Sequence, residues 1–282
     1  MLLACVPAAS GLALAPGAQA DPLIIAAPGA KNLAAGGGWR AWAAPAANGR
    51  WRLVTRAPNG TIATAKIKSF GALPDPFIGA TAFGASAKRL VAVYSRCRAT
   101  SASNGCDVYQ YDLVAGTERK VTRISTAAGS EVAPSIASGS YGFVRRGGSQ
   151  PGVYTATKSR IRRIDARVAR ETAVSQSRIA YRIGGTVMLS QLDGSNKRTI
   201  RKSFPDIFSI VITRYRVGWL EHFGHRTGAF MTNRINPSGA IVIRQGSHDL
   251  PASTQSAVAD SSRIVEYLGA TGIKRAVPPL FP

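Results

Sequence analysis

Residues 174–202 alternate apolar and polar side chains, break at Gly184-Gly185, alternate again, break at Asp193-Gly194 and end in a third alternating run. A period of two sends successive side chains to opposite faces of a strand. Glycine-bearing dipeptides between such runs supply tight turns. The stretch therefore predicts a compact antiparallel meander.

The same pattern recurs along the chain. Its anchor is a basic or small residue, then an apolar one, a small one and an aromatic. It reads Ser140-Tyr141-Gly142-Phe143, Arg178-Ile179-Ala180-Tyr181 and Arg216-Val217-Gly218-Trp219, and these three are evenly spaced. Stretched copies begin at Arg89 and Arg263, and the weakest begins at Trp39. Short runs of small or apolar residues precede the anchors, at 81–84, 134–137, 173–175, 211–213 and 257–259. Beyond the anchors a second alternating run leads to a turn at Asn59-Gly60, Ala115-Gly116, Asp193-Gly194 or Ser238-Gly239, and an often basic strand follows. Each unit thus counts four strands, and the small residues of the first suit a place where several sheets converge. Repeats of this length are single sheets that bury their faces only by stacking on one another. The chain predicts an all-β fold, a β-propeller of six four-stranded blades. Periodicity alone leaves a seven-unit ring or a sandwich open.

The two ends carry further expectations. The last unit, residues 256–282, is short of strands, because after Tyr267 only 273–276 can form one before Pro278-Pro279 stops it. Residues 23–27 (Leu-Ile-Ile-Ala-Ala) form a strand candidate outside the repeat. Pairing them into the C-terminal sheet would shut the ring and protect its edges. Residues 1–20 have the shape of a secretory signal peptide: an uncharged apolar run, then Ala18-Gln19-Ala20, with cleavage between Ala20 and Asp21. The basic leader of such signals is missing, since Leu2 follows Met1 directly. A lipid anchor on Cys5, in Leu2-Leu3-Ala4-Cys5, is the alternative. The remaining residues, 21–282, read as a single propeller domain. No later apolar run reaches the roughly 20 residues that cross a bilayer, so no transmembrane span is expected.

Cys97 and Cys106 flank a polar loop between predicted strands 90–96 and 107–113. Cysteines at the base of a hairpin loop face each other, so a disulfide is predicted, in keeping with an oxidising compartment. A metal site there is disfavoured, because no histidine or third cysteine is near in sequence. Asn48-Gly49 marks a hairpin over 39–56. Asn59-Gly60-Thr61 matches a glycosylation acceptor but reads as a turn, and 71–76 reads as a link between units.

The second unit resembles a known family. It reads AKRLVAVYS and then CDVYQYDLVAGTERKVTR, and Val108-Tyr109, Asp112 and Gly116 match the second half of the TolB-like β-propeller repeat. Val153-Tyr154 and Leu192-Asp193-Gly194 match parts of it in the next units. The family's Ser-Pro-Asp-Gly turn is replaced, for instance by Gly84-Ala85-Ser86-Ala87 and Val174-Ser175-Gln176-Ser177. The resemblance implies an exported or periplasmic propeller of the six-bladed type, used mainly for protein contacts, and carries no catalytic residues to transfer.

Composition changes the picture through charge. Lysine and arginine number 36 against 14 acidic residues, a formal net charge of +22. Such a field attracts anionic surfaces. Outside the cytoplasm these are envelope polymers, anionic headgroups or an acidic protein. No recognition helix or stacking motif points to specific nucleic-acid reading, and the chain is expected to be monomeric. The hydrophobic share of 45% and a mean hydropathy near zero support a packed core.

Dedicated chemistry is sparse. Glu221-His222-Phe223-Gly224-His225 gathers two of three histidines and a carboxylate, but reads as a hairpin tip and lacks the i, i+4 histidines of the zinc helix. His248-Asp249 reads as an inter-unit loop. No nucleophile elbow, phosphate loop or calcium loop is present. No catalytic, cofactor or metal residues are therefore assigned. The leading reading is an exported non-catalytic scaffold for a protein or an anionic envelope polymer. The alternative is a propeller hydrolase or lyase acting on an anionic polysaccharide, through Glu221, His222 and His225 or dispersed carboxylates. Charged residues from several units converging on the ring axis would favour the enzyme; small and apolar ones would count against it.

Overall fold

The computed structural model describes residues 23–82, 89–98, 105–127, 129–202, 207–213, 216–223, 227–235, 241–251, 254, 256–259 and 265–275. The expected signal segment, with Cys5 and the Ala20/Asp21 cleavage site, lies outside them.

Among the described residues are six four-stranded antiparallel sheets. After a lone strand β1 (Leu23–Ala26), sheet 1 is β2 (Lys31–Gly36), β3 (Trp39–Pro45), β4 (Trp51–Arg56) and β5 (Ile62–Thr64). Sheet 2 is β6 (Phe77–Ala80), β7 (Leu90–Cys97), β8 (Cys106–Asp112) and β9 (Glu118–Lys120). Sheet 3 is β10 (Ser130–Ala137), β11 (Ser140–Arg146), β12 (Gly152–Ala156) and β13 (Ile161–Asp165). Sheet 4 is β14 (Glu171–Val174), β15 (Arg178–Ile183), β16 (Thr186–Gln191) and β17 (Arg198–Arg201). Sheet 5 is β18 (Ile207–Ile212), β19 (Arg216–Phe223), β20 (Thr227–Ile235) and β21 (Ile241–Pro251). Sheet 6 is β22 (Ser256–Ala259), β23 (Val265–Leu268) and β24 (Gly272–Arg275), with β1 as its fourth strand, antiparallel to β24. Both ends of the described chain thus share one sheet, as expected from residues 23–27.

Every anchor aromatic read from the sequence lies on the second strand of its sheet, and each first strand touches the next one around a circuit. β2 meets β6, β6 meets β10, β10 meets β14, β14 meets β18, β18 meets β22, and β22 returns to β2. The fold is a β-propeller. Its core lies between successive sheets. Leu53 and Ala41 of sheet 1 pack with Ile78 and Tyr94 of sheet 2, and Val144 of sheet 3 with Ile179 and Tyr181 of sheet 4. Ile25 and Ile273 of sheet 6 pack with Leu33 and Trp42 of sheet 1.

First strands approach closely at the centre. A Cβ on Gly79 of β6 would lie 1.9 Å from the main-chain oxygen of Ile136 in β10. This is why the first strands are written in small residues. Their placement corrects the sequence reading in two places. The first strand of unit two is Phe77–Ala80, not 81–84, because Pro74 and Pro76 end the link and leave Phe77-Ile78-Gly79-Ala80 free to pair with β7. Unit one has a first strand, β2, whose opening Lys31-Asn32 hides it from an apolar search.

β2 is also irregular. Its pairing with β3 slips between Lys31 and Ala34, around Asn32 at φ 50°. The same slip occurs in β10 around Ala133 (φ 49°) and in β18 around Ser209 (φ 54°). The first strands of sheets 2, 4 and 6 pair with their neighbours without a slip. The bulges are tied to the sheets beside them. Asp75, in the link into sheet 2, accepts the main-chain N–H of Ala133 at 2.8 Å. Glu171 of sheet 4 accepts that of Ile210 at 3.0 Å. In sheet 3 the residue after the bulge is Pro134, which has no N–H, so the acid takes the bulge residue itself.

Ring closure is reinforced by charge. Arg40 of β3 donates through Nε and Nη2 to the carboxylate of Glu266 in β23, and Arg275 of β24 adds a bond of 3.0 Å. Arg40 and Glu266 are both buried. Cys97 and Cys106 face each other across β7 and β8 and form the expected disulfide. Closing so short a loop contributes about 2–3 kcal/mol by reducing unfolded-chain entropy. The Asn48-Gly49 hairpin forms as expected, with both residues at positive φ.

Two outcomes follow. Gly79→Ala, by forcing β6 away from β10, is expected to cost about 1–3 kcal/mol in urea unfolding; an unchanged midpoint would disprove the crowding. Glu266→Gln strands Arg40 without its counter-charge and is expected to cost about 3–5 kcal/mol, whereas Arg40→Met combined with Glu266→Leu should recover most of it.

Candidate functional site

The densest chemical cluster in the sequence is split between a strand and residues outside the described ones. β19 runs through Phe223, so Glu221 and His222 lie on a strand and not at a hairpin tip. The strand continues because its backbone groups pair with β20 as far as Phe223↔Thr227. Glu221 is fully buried. Its carboxylate accepts Nε of Arg201 at 2.8 Å and the indole N–H of Trp219 at 2.7 Å. It is thereby committed to the interior. His222 pairs in register with Gly228, and His225 lies outside the described residues. His248, read as a loop residue, sits on β21 opposite Phe230, because β21 follows β20 as far as Pro251. Among the described residues no three His, Cys, Asp or Glu side chains come together as a metal site would require.

Other acids follow Glu221 inward. The anchor aromatic of three sheets delivers its donor to a carboxylate that a cation holds. Tyr94 donates to Glu118 at 2.6 Å, and Arg96 holds Glu118 at 2.6 Å. Tyr181 donates to Asp165 at 3.0 Å, where Arg167 and Lys197 converge. Trp219, Glu221 and Arg201 form the third set. Glu131 takes Nε of Arg145 at 2.9 Å, and Glu171 takes Arg182 at 2.7 Å. These contacts explain the titration. Burial pushes the Tyr94 and Tyr181 hydroxyls far up, aided by Glu118 and Asp165. Burial acts to raise the Asp165 carboxyl, but bonds from Arg167, Lys197 and Tyr181 hold it well below the usual range. Glu266 is likewise lowered, because Arg40 and Arg275 outweigh its burial. Asp75 behaves oppositely. Its burial, set against the N–H groups of Ser95 and Ala133, leaves it raised to about 6.

The first strands are written mostly in small and apolar residues, with Lys31 on β2, Glu131 on β10 and Glu171 on β14 as their charged members. They read LAAG, FIGA, APSIA, TAV, SIVI and SAVA over most of their length. The acids that β10 and β14 carry, Glu131 and Glu171, are bound by arginines of their own sheets. What the fold leaves outside is cationic. Around the outer strands of sheets 3 and 4, Lys158, Arg160, Arg163, Arg167, Arg170 and Arg198 are exposed. The sequence signal for this was present in the charge balance; which acids would be withdrawn was not.

No protein family matches this chain by sequence, and no curated protein does. Solved structures match by shape. The tricorn protease aligns with a TM-score of 0.55 at 12% identity, over 88% of this chain and 26% of that one. Puromycin hydrolase aligns with a TM-score of 0.46 at 11% identity, over 88% of this chain and 54% of that one. The SapL1 lectin in complex with alpha methyl fucoside aligns with a TM-score of 0.49 at 12% identity, over 89% and 92%. This chain therefore spans about a quarter of the first protein and about half of the second. At such identities the likeness concerns the propeller fold alone.

The two kinds of buried acid have opposite pH signatures. Asp165 and Glu266, lowered by folding, contribute stability above the ordinary carboxylate range that is lost on acidification. Asp75 is raised, so its contribution is fullest below 3.8 and falls as pH rises through about 6. In urea unfolding across that window, the wild type should lose stability relative to Asp75→Asn as pH increases. Parallel pH dependences would refute the assignment.

Proposed function

We propose that this chain is an exported, non-catalytic propeller that acts as a binding scaffold for an anionic polymer of the cell envelope. One observation carries the reading: among the described residues the acids other than Asp193 are buried or half-buried, and an excess of arginine and lysine faces solvent. Three further features support it. The disulfide suits an oxidising compartment. The first strands are mostly small and apolar, and the acids described on them, Glu131 and Glu171, are held by Arg145 and Arg182. The TolB-like repeat is a framework for contacts rather than chemistry. A hydrolase or lyase acting on the same kind of polymer would need a free acid, and Glu221 is held by Arg201 and Trp219.

The test is binding of the purified chain to immobilised anionic polymers (polygalacturonate and inorganic polyphosphate) and to neutral dextran, over a series of salt concentrations. Binding to the anionic polymers alone, weakening linearly in log–log form with salt, is expected. Equal retention on dextran would overturn the reading. Chain cleavage of polygalacturonate, seen as new reducing ends or unsaturated products, would replace it with the enzyme.

A further inference from the structure

The arginines of this protein fall into two populations. One meets carboxylates: Arg40 on Glu266, Arg201 on Glu221 and Arg167 on Asp165, each using the fork of Nε and Nη2. The other is tethered to main-chain carbonyls and keeps its full charge. Three of this second kind surround the outermost strand of sheet 3. Arg123, from the segment leaving sheet 2, donates through Nη2 to the carbonyl of Thr157. Arg162 donates through Nη1 to the carbonyl of Asp193, at the turn of sheet 4, at 2.7 Å. Arg163 donates through Nη2 to the carbonyls of Pro151 and Ala166. Lys158 and Arg160 project from the exposed turn between β12 and β13. The tethers fix where the cations stand without neutralising them.

Acid is scarce here. Residues 157–163 read TKSRIRR. Asp165 is bound by Arg167, Lys197 and Tyr181. Asp193 is the exposed exception: its carboxylate accepts the N–H and hydroxyl of Ser195 and keeps a negative charge that Arg162 feels. Ile164 and Asp165 are buried, so the result is a cationic strip over the exposed turn 158–160 and the outward part of β13, residues 161–163, which alone span about 10 Å. That length accommodates two or three charges of an extended polymer.

Resting on the polymer-binding reading above, we propose that this strip along β13 is the docking site, and that its occupant is a phosphate-bearing, non-nucleic polymer. Two features select phosphate. First, Nη2 of Arg163 has spent both hydrogens on carbonyls and Nη2 of Arg123 has spent one, so on these two the fork this protein uses for carboxylates is compromised, while Arg162, tied through Nη1, keeps its own. Arg123 and Arg163 are left with single donors, approaching from two sheets. A tetrahedral phosphate accepts such donors from several directions, whereas a planar carboxylate is best met by one coplanar fork. Second, the exposed uncharged side chains on the strip include Ser159 and Ile161 but no aromatic ring, so bases have no stacking platform.

The test uses the full chain and long-chain inorganic polyphosphate as the probe. R123Q/R162Q/R163Q is expected to weaken binding about tenfold or more at low salt and to lower the log–log salt slope by about 2, at roughly 0.7 for each phosphate no longer neutralised. K158E/R160E, which leaves the tethers intact and lies in an exposed turn, should also lose binding, so a folding defect in the first variant does not shelter the proposal. R52Q/K66Q/K68Q removes three charges from sheet 1 and should weaken binding much less. A wild type that binds no polyanion in a salt-dependent way sinks the functional reading itself. A wild type that binds polyphosphate, with strip and sheet 1 variants affected alike, leaves that reading standing and overturns this site. Equal losses on polygalacturonate overturn the choice of phosphate. Tighter binding of single-stranded DNA than of polyphosphate overturns the non-nucleic assignment.

Discussion

A carboxylate kept ionised between packed sheets must be given a cation, and this requirement organises the molecule. Removing the partner of a buried charge costs several kcal/mol, far more than a surface ion pair contributes. Glu131, Glu221 and Glu266 are wholly buried, and each is met by an arginine. For Glu131 the arginine comes from the adjacent strand; for Glu221 it comes from β17 of the preceding sheet, and for Glu266 it is Arg40 from the sheet across the ring seam. The inter-sheet clusters supply most of the apolar burial. The ion pairs supply the angular register that apolar packing leaves loose.

Withdrawing acids inward has an outward counterpart. With 14 acids and 36 basic residues in the chain, each ionised inward carboxylate takes a cation with it, and the basic residues left without an acid make up the exterior charge. Interior and exterior are therefore one design. Arg40, Arg145 and Arg201 hold buried carboxylates, whereas Arg123, Arg162 and Arg163 lean on backbone carbonyls near the surface.

Much of this was legible in the sequence, for local reasons. The anchor of each second strand could be read because an aromatic at that position must place its body in the core and its polar end on an acid, as Tyr94, Tyr181 and Trp219 do. The turns at Asn48-Gly49 and Asp193-Gly194 could be read because few residues tolerate positive φ. The closing strand could be read because the last unit lacked one. What escaped were features set by contacts distant in sequence. Arg40 and Glu266 meet across nearly the whole chain, and no local pattern announces them. β2 escaped because its bulge at Asn32 shifts the alternation by one residue; the strand after Ser238-Gly239 could be read, but not its far end at His248-Asp249, which is carried along by its neighbour β20. The expected turn at Glu221-His222 is a strand instead, since Glu221 is pulled inward by Arg201 and Trp219.

The slips in β2, β10 and β18 give the ring a parity. Turning the molecule by one sheet lays a kinked strand over a straight one; turning it by two restores the match. The interchangeable part is thus a couple of neighbouring sheets, one bent and one flat, with the acid of the flat member serving the bent one beyond it at Ala133 and Ile210. Grafting between odd-numbered sheets preserves that arrangement, whereas an odd-for-even exchange breaks it on both sides.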